Sequence, residues 1–573
     1  MPTKTPRQRY FEEPIRAAAA TARPVLETGI PMRDGVELAA DVYLPCPDER
    51  PAPAIVQSTP YDKSTAAFFL DEARFYQERG YAVIVHDVRG RGKSEGRWRA
   101  FVHDGPDTHD VIEWVARQDW CSSKVGTTGL SYMGWTQWAA AAERPPHLRC
   151  MVSTSAAGRW QQEIPYTWGV FQLYFGWWVY LVRRRIAEFH GLEVHDWDDI
   201  LRRLPLTAIG EYIDPVGETW HDMLTHDTLD AHWQALRFDE RYDQIDVPCL
   251  HVTGWFDMED LTGAFHHYEH MMQASPARSR QQLIVGPWSH VNCRWPHDQY
   301  AGLNFGPDAA LDMHQVHLRW FDHWLKGRDN GAQHDPPVRL FETGRNVWLE
   351  TDRWPLSDVE RALYLHFDGT HGSLSATSPS SDEPAQTYRY DPNDPAPTQM
   401  DVKQYPLEDI PLNQDAVEAR PDVICYTSAV LTEEVVVSGW PHIDLFAASD
   451  CDDTEWHVKL TDVYPDGRSM KVSQGCLRAS YRESLQRPTP LVPGAVTRFA
   501  VELWPTHYVF LPGHRMRISI TSSDFPWFAR SLNRFGRLAD LTQPRIATNS
   551  VWHTPACPSR LRLPVRSDSA GTA

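Results

Sequence analysis

The chain has 573 residues, 42% of them hydrophobic and 23% charged, with a formal net charge of −20. That length exceeds one ordinary core and asks for two or three domains, and the balance excludes a disordered or fibrous chain. The excess of acid excludes nucleic acid as a partner, because phosphate binding needs clustered Lys and Arg; it does not identify a substrate, since whole-chain charge mainly reports solubility.

The opening stretch, MPTKTPRQRYFEEPIRAAAATARP, is basic without a continuous apolar run, so no secretory signal is expected. The arm before Met32 shows no strand of its own and is a candidate contact in a homo-oligomer. Short β-branched runs then alternate with helical patterns, with strands expected at 54–57, 82–86, 125–130, 150–154, 248–253 and 282–285. Residues 108–118 place Val111, Ile112, Val115 and Ala116 on one helical face. This is the pattern of an α/β fold with a parallel sheet.

From 155 to 246 the alternation gives way to aromatic-rich helical sequence, expected as a cap inserted into the sheet domain. Within it, 164–182 carries no charge over 19 positions and is followed by Arg183, Arg184 and Arg185, a length and flank that suit a membrane span. Pro165, Thr167, Gly169, Gln172 and Gly176 dilute it, so a buried or pocket-lining segment is expected and no membrane partner. From 335 onward, 338–342, 362–367, 456–463, 497–503 and 515–520 alternate with period two between Pro and Gly turns. That half reads as an antiparallel sandwich, most simply a jelly roll, with 369–387 as a loop and 567–573 as a loose tail. The expected layout is an α/β-hydrolase domain at 1–154 and 247–334, a helical cap at 155–246, and a jelly-roll β-sandwich at 335–573. Nine scattered cysteines without a C-x-x-C pair imply reduced thiols and a cytoplasmic protein.

The strongest chemical signal is Gly129-Leu130-Ser131-Tyr132-Met133-Gly134, directly after an expected strand. A serine on a tight strand-to-helix turn projects its hydroxyl above the sheet. Asp257 and His290 each follow a later strand, so the order Ser, Asp, His is that of the α/β hydrolases. The chemistry needs all three: imidazole takes the serine proton and a carboxylate fixes its tautomer. Among 26 histidines, it is the position after the last expected sheet strand, in GPWSH, that singles out His290. Asp87, Arg89, Arg91 and Lys93 in HDVRGRGKSEG lack the order of a phosphate-binding loop and are expected as an ion-paired structural loop. His266, His267 and His270 lack H-E-x-x-H and are expected as a polar helix face. No metal and no organic cofactor is expected.

The stretches TPYDK at 59–63, HDVRGRGKSEG at 86–96, GLSYMG, GWFD at 254–257, GPWSH at 286–290 and WFDHWLKG at 320–327 resemble the cocaine esterase / X-Pro dipeptidyl-peptidase family, which includes α-amino acid ester hydrolases and glutaryl-cephalosporin acylases. The likeness runs from MRDGVELAADVYLP at 32–45 to HRMRISITSSDFP at 514–526. It implies an oxyanion hole made by the Tyr132 backbone N–H and the Tyr61 hydroxyl, the latter from TPYDK. It also implies that the cap walls the acyl site, with Trp177 and Trp178 part of a group that includes Trp160, Trp168, Phe171 and Phe175. After Asp257 the chain reads Met258-Glu259-Asp260, similar to α-amino acid ester hydrolases, in which two carboxylates here help bind the substrate ammonium. The other reading of Glu259 and Asp260 is the start of a helix, where acids suit the positive dipole end. A third carboxylate from the cap has four candidates, Asp196, Asp198, Asp199 and Asp214.

The expected function is therefore hydrolysis of small-molecule esters or activated amides through an acyl-enzyme, α-amino acyl esters included. X-Pro dipeptides are an alternative substrate. A carbohydrate- or surface-binding protein acting through the sandwich is the alternative of another class.

Overall fold

A computed structural model of the chain describes residues 25–64, 67–188, 195–215, 217–400 and 410–567. Its first sheet contains β1 (Leu26–Pro31), β2 (Glu37–Tyr43), β3 (Ala52–Thr59), β4 (Ala82–Asp87), β5 (Cys121–Leu130), β6 (Leu148–Thr154), β7 (Cys249–Gly254), β8 (Gln281–Gly286), β9 (Val338–Glu342) and β10 (Val347–Thr351). The order is β1-β2-β4-β3-β5-β6-β7-β8-β9-β10, and the strands from β4 through β3 to β9 are parallel. Every residue of β4 and β7 is buried, as expected of parallel strands covered on both faces. The covering helices include α1 (Ala67–Gln77), α2 (Asp104–Ala116), α3 (Tyr132–Ala142), α5 (Leu261–Ala274) and α6 (Met313–Trp324), while α4 (Phe175–Val182) packs among the short helices between β6 and β7. Val111, Ile112, Val115 and Ala116 are buried on α2, the face that the sequence pattern selects.

Three expectations change. The arm before Met32 does contain a strand: β1 pairs antiparallel with β2, from Leu26↔Val42 to Pro31↔Glu37; residues 1–24 lie outside the described residues. The boundary at 334/335 moves, because β9 pairs in parallel with β8 and β10 closes the edge of the first sheet. Period two alone does not say which sheet a strand joins. Residues 164–182 form no single helix: Tyr166–Thr167 and Val170–Phe171 make a small hairpin, and only Phe175–Val182 is helical. Tyr166, Phe171, Leu173, Phe175, Trp177 and Val182 are buried, so protein takes up the apolar surface. No helix among the described residues is long and apolar enough to cross a membrane.

The C-terminal region is β-rich, built around a second sheet of thirteen strands. These include β11 (Val359–Phe367), β12 (His442–Ser449), β13 (Glu455–Val463), β14 (Ser469–Arg478), β15 (Thr497–Glu502) and β16 (Arg515–Thr521). Here alternation is literal: Ile443, Leu445 and Ala447, then Trp456, Val458 and Leu460, then Phe499 and Val501, then Met516, Ile518 and Ile520, all enter one apolar cluster. The segment 369–387 is not wholly loop, since Gly372–Ser375 pairs with β11 and with Ile424–Ser428. Of the expected tail, Ser567 is bonded to Asp358 and 568–573 lie outside the described residues. All nine cysteines are free thiols.

Candidate active site

Ser131 closes β5 and opens α3 with φ 64° and ψ −128°, a conformation that an L residue holds only when its surroundings enforce it. Its amide donates to Thr154 O and Ser155 O, both at 3.0 Å, and its carbonyl accepts from Gly134 N at 2.7 Å. The glycine spacing has a steric cause. A Cβ on residue 129 would sit 2.5 Å from Met133 Cβ, and one on residue 134 would sit 2.8 Å from Thr154 O and 2.9 Å from Ala156 Cβ. The second glycine is needed where α3 crosses the end of β6, one residue later than in G-x-S-x-G.

The loops after β7 and β8 are laced together, Trp255 N donating to Gly286 O at 2.9 Å and Phe256 N to Trp288 O at 3.0 Å. This sets Asp257 beside His290, whose Nδ1 lies 3.0 and 3.1 Å from the two carboxylate oxygens. Asp257 Oδ1 also accepts from the amides of Glu259 (2.9 Å) and Asp260 (3.1 Å). An ion pair of Arg294 with Glu72 on α1 anchors the chain just past His290. Burial disfavours ionisation of Asp257, but the charge and hydrogen bond of His290 outweigh it and hold the carboxyl below its ordinary range.

Glu259 and Asp260 also turn into the site. Glu259 Oε2 is 3.6 Å from His290 Nε2, and Asp260 Oδ2 is 4.0 Å from His290 Nδ1. Ser131 Oγ donates to Asp260 Oδ2 at 3.4 Å; sites without substrate often hold the nucleophile away from its base until the complex forms. Asp260 occupies the N-cap position of α5, yet its side chain makes no capping bond. Helix initiation therefore does not account for where its carboxylate points. Burial lowers the proton affinity of His290, but Glu259, Asp257 and Asp260 reverse this and push its pKa up to about 10. Burial pushes the Asp260 carboxyl well above the ordinary range, opposed by His290 and reinforced by Glu163, Asp257 and Glu259.

A cavity opens at Ser131, lined by Phe101, Tyr132, Ala157, Ile164, Tyr174, Phe175, Trp178, Glu259 and Asp260. Trp178 Nε1 donates to the Tyr61 hydroxyl at 3.2 Å. Burial, with Glu259 and Asp260, keeps the Tyr61 phenol protonated and so a donor. Tyr132 opens α3, where a backbone N–H has no intrahelical acceptor. Its side chain is fixed by donating to Asp104 Oδ2 at 2.8 Å and accepting from Phe101 N at 3.0 Å.

The fold thus brings together Ser131, Asp257, His290, Tyr61, Tyr132, Glu259, Asp260 and Trp178. Trp177 is not among the lining residues. One step along α4 turns it to the far side, where its ring packs edge-on against Trp197, 6.0 Å between centroids. Of the four cap aspartates, none lines the cavity: Asp196 and Asp214 accept from the amides of Asp199 and Trp220, and Asp199 pairs with Arg203. Ile164 and Tyr174 lie in the segment 164–182 expected as buried or pocket-lining; Phe101 escapes sequence reasoning, with only a left-handed φ of 70° to mark it, which no residue type announces.

The two side expectations fare differently. Arg89 pairs with Asp107 and Asp34, and Lys93 with Glu27, while buried Arg91 is held by backbone carbonyls of Pro60, Val182 and Arg184. His266 and His267 are buried rather than on a solvated face, because His267 bridges the Tyr242 hydroxyl (2.7 Å) and Ala157 O (2.8 Å).

Residues 34–292 match the family model for X-Pro dipeptidyl-peptidase (S15 family), and residues 330–562 match that for the X-Pro dipeptidyl-peptidase C-terminal non-catalytic domain. The chain is 32% identical to a cocaine esterase of a Rhodococcus species, over 94% of this chain and 97% of the relative. It is 27% identical to a putative serine esterase of Mycobacterium bovis, over 87% and 90%. Among solved structures, an α-amino acid ester hydrolase superposes with a TM-score of 0.85 at 28% identity, covering 94% of this chain and 96% of that one. An aminopeptidase from a Thaumarchaeota archaeon gives 0.84 at 25% identity, over 95% and 96%. A site built on a strained strand-to-helix serine, in a chain alike to these relatives from end to end, leads to one assignment: the chain belongs to the cocaine esterase / X-Pro dipeptidyl-peptidase family of serine hydrolases.

Proposed function

We propose that the protein hydrolyses small α-amino acyl esters through an acyl-enzyme on Ser131. Ser131 Oγ attacks the ester carbonyl as His290 accepts its proton, and Asp257 holds the imidazole by its Nδ1–H. The Tyr132 amide and Tyr61 hydroxyl donate to the oxyanion. The alcohol leaves with the proton from His290, and water, deprotonated by the same imidazole, then releases the acid. Glu259 and Asp260 hold the substrate ammonium by charge-assisted hydrogen bonds, and Phe101, Tyr174, Phe175 and Trp178 enclose an aryl or alkyl acyl group.

The observation that carries this reading is the placement of two carboxylates in the same aromatic cavity as Ser131. In this reading the 155–246 insertion is a cap supplying Ile164, Tyr174, Phe175 and Trp178, and the C-terminal β-rich region is a jelly roll that braces it. The free thiols fit a cytoplasmic protein.

Two assays test this. A fluorophosphonate should label wild type and not Ser131→Ala. Across p-nitrophenyl esters, amino acid esters and X-Pro anilides, amino acid esters should give the highest kcat/KM, and Tyr61→Phe should lower kcat by about 10²–10³ with KM little changed. Labelling that survives Ser131→Ala, or an X-Pro anilide preferred over every ester, would overturn the proposal.

A further inference from the structure

Away from the crevice, three side chains converge on one point. Asp239 lies on the chain leading into β7, and His266 and His270 sit four residues apart on α5, so their rings leave the same face of the helix. Asp239 Oδ1 is 3.2 Å from His266 Nε2 and 3.8 Å from His270 Nε2, and the three ligand atoms all lie within 4.8 Å of one another. Arg237 Nε donates to the other oxygen of Asp239 at 2.5 Å, which leaves Oδ1 directed at the two rings.

The hydrogen bonds fix what His270 presents. Its Nδ1 lies 2.8 Å from the backbone carbonyl of His266. A carbonyl only accepts, so Nδ1 carries a proton, and Nε2 is the ring atom turned toward the carboxylate. An Nδ1–H···O=C bond is also the support that orients metal-bound imidazoles.

We infer that Asp239, His266 and His270 form a binding site for a divalent transition metal of the zinc class. Metal–ligand bonds of about 2.0–2.2 Å fit donor atoms spaced in this way after small side-chain adjustment. Two imidazole nitrogens and one carboxylate oxygen select zinc, nickel or copper over magnesium or calcium. The Asp239 and His270 side chains are 25% and 33% exposed, so water completes the coordination. The ion ties the middle of α5 to the segment entering β7. Because α5 follows directly on Asp260, beside Ser131, metal braces the helix next to the ammonium-binding carboxylates.

The test uses the full-length, tag-free protein after chelator treatment, titrated with Zn²⁺ by calorimetry and with Co²⁺ by visible absorption, beside His270→Gln and Asp239→Asn. Wild type should bind one equivalent of Zn²⁺ that both variants bind at least about tenfold more weakly. Zn²⁺ should raise the melting temperature of wild type and leave that of His270→Gln unchanged. His270 is partly exposed, so this variant keeps its fold, which circular dichroism checks. Equal Zn²⁺ stoichiometry and equal melting shifts in wild type and His270→Gln would overturn the inference.

Discussion

Buried carboxylates are handled in opposite ways at two places in the molecule. In the C-terminal region several have a cation of their own: Asp453 meets Arg478 at 2.8 Å, Asp524 meets Lys459 at 3.0 Å, and Asp444 meets both Arg498 and Arg560. At the end of β7, three carboxylates, Asp257, Glu259 and Asp260, share one imidazole within 4.0 Å. Paired charges hold a structure together, whereas a buried excess of one sign is tolerated where a ligand of the other sign completes it. The first arrangement reads as architecture and the second as recognition.

Breaking a matched pair should therefore unfold the protein without touching its chemistry. Arg478→Met strands Asp453 and should lower stability by about 3–5 kcal/mol, read by denaturant titration, with kcat/KM of the folded fraction unchanged. A loss below about 1 kcal/mol would show that the C-terminal pairs are not the architecture we take them for.

Relieving the excess should instead move a pH profile. The imidazole must be unprotonated to act as base, so a raised His290 pKa shifts the active range to higher pH. Glu259 is the largest of the carboxylate influences that raise it. For a neutral ester such as methyl phenylacetate, kcat/KM reports the free enzyme and should still be rising at alkaline pH in wild type. In Glu259→Gln the rise should fall about one to two units lower. A profile that does not move would separate Glu259 from the base.

Much of the site is legible in the sequence. Ser131, Asp257 and His290 each follow a strand whose apolar run announces it, and chain order assigns their roles. The cavity wall was less legible, because adjacent helix positions face in directions about 100° apart: Trp178 and Trp177 are equal in sequence and opposite in space. Phe101 reaches the site from a loop that carries no periodic pattern. The metal-ligating set was hidden for a similar reason. His266 and His270 are visible as an i, i+4 pair, but Asp239 arrives from another segment, and only the fold supplies it. Strands β9 and β10 show the converse limit, since their alternation matches that of the second sheet while their hydrogen bonds belong to the first.

The central claim is that the paired acids beside Ser131 read a cationic acyl group. Its most direct test is the ratio of kcat/KM for phenylglycine methyl ester over phenylacetic acid methyl ester, measured where the amine is protonated, in wild type, Glu259→Gln and Asp260→Asn. Hydrogen bonds to charged groups contribute about 1.5–3 kcal/mol, so wild type should favour the amino ester about 10- to 100-fold and each variant should lose most of that preference. A wild-type ratio near one, or a preference that survives both substitutions, would contradict the account and leave a hydrolase of neutral acyl esters.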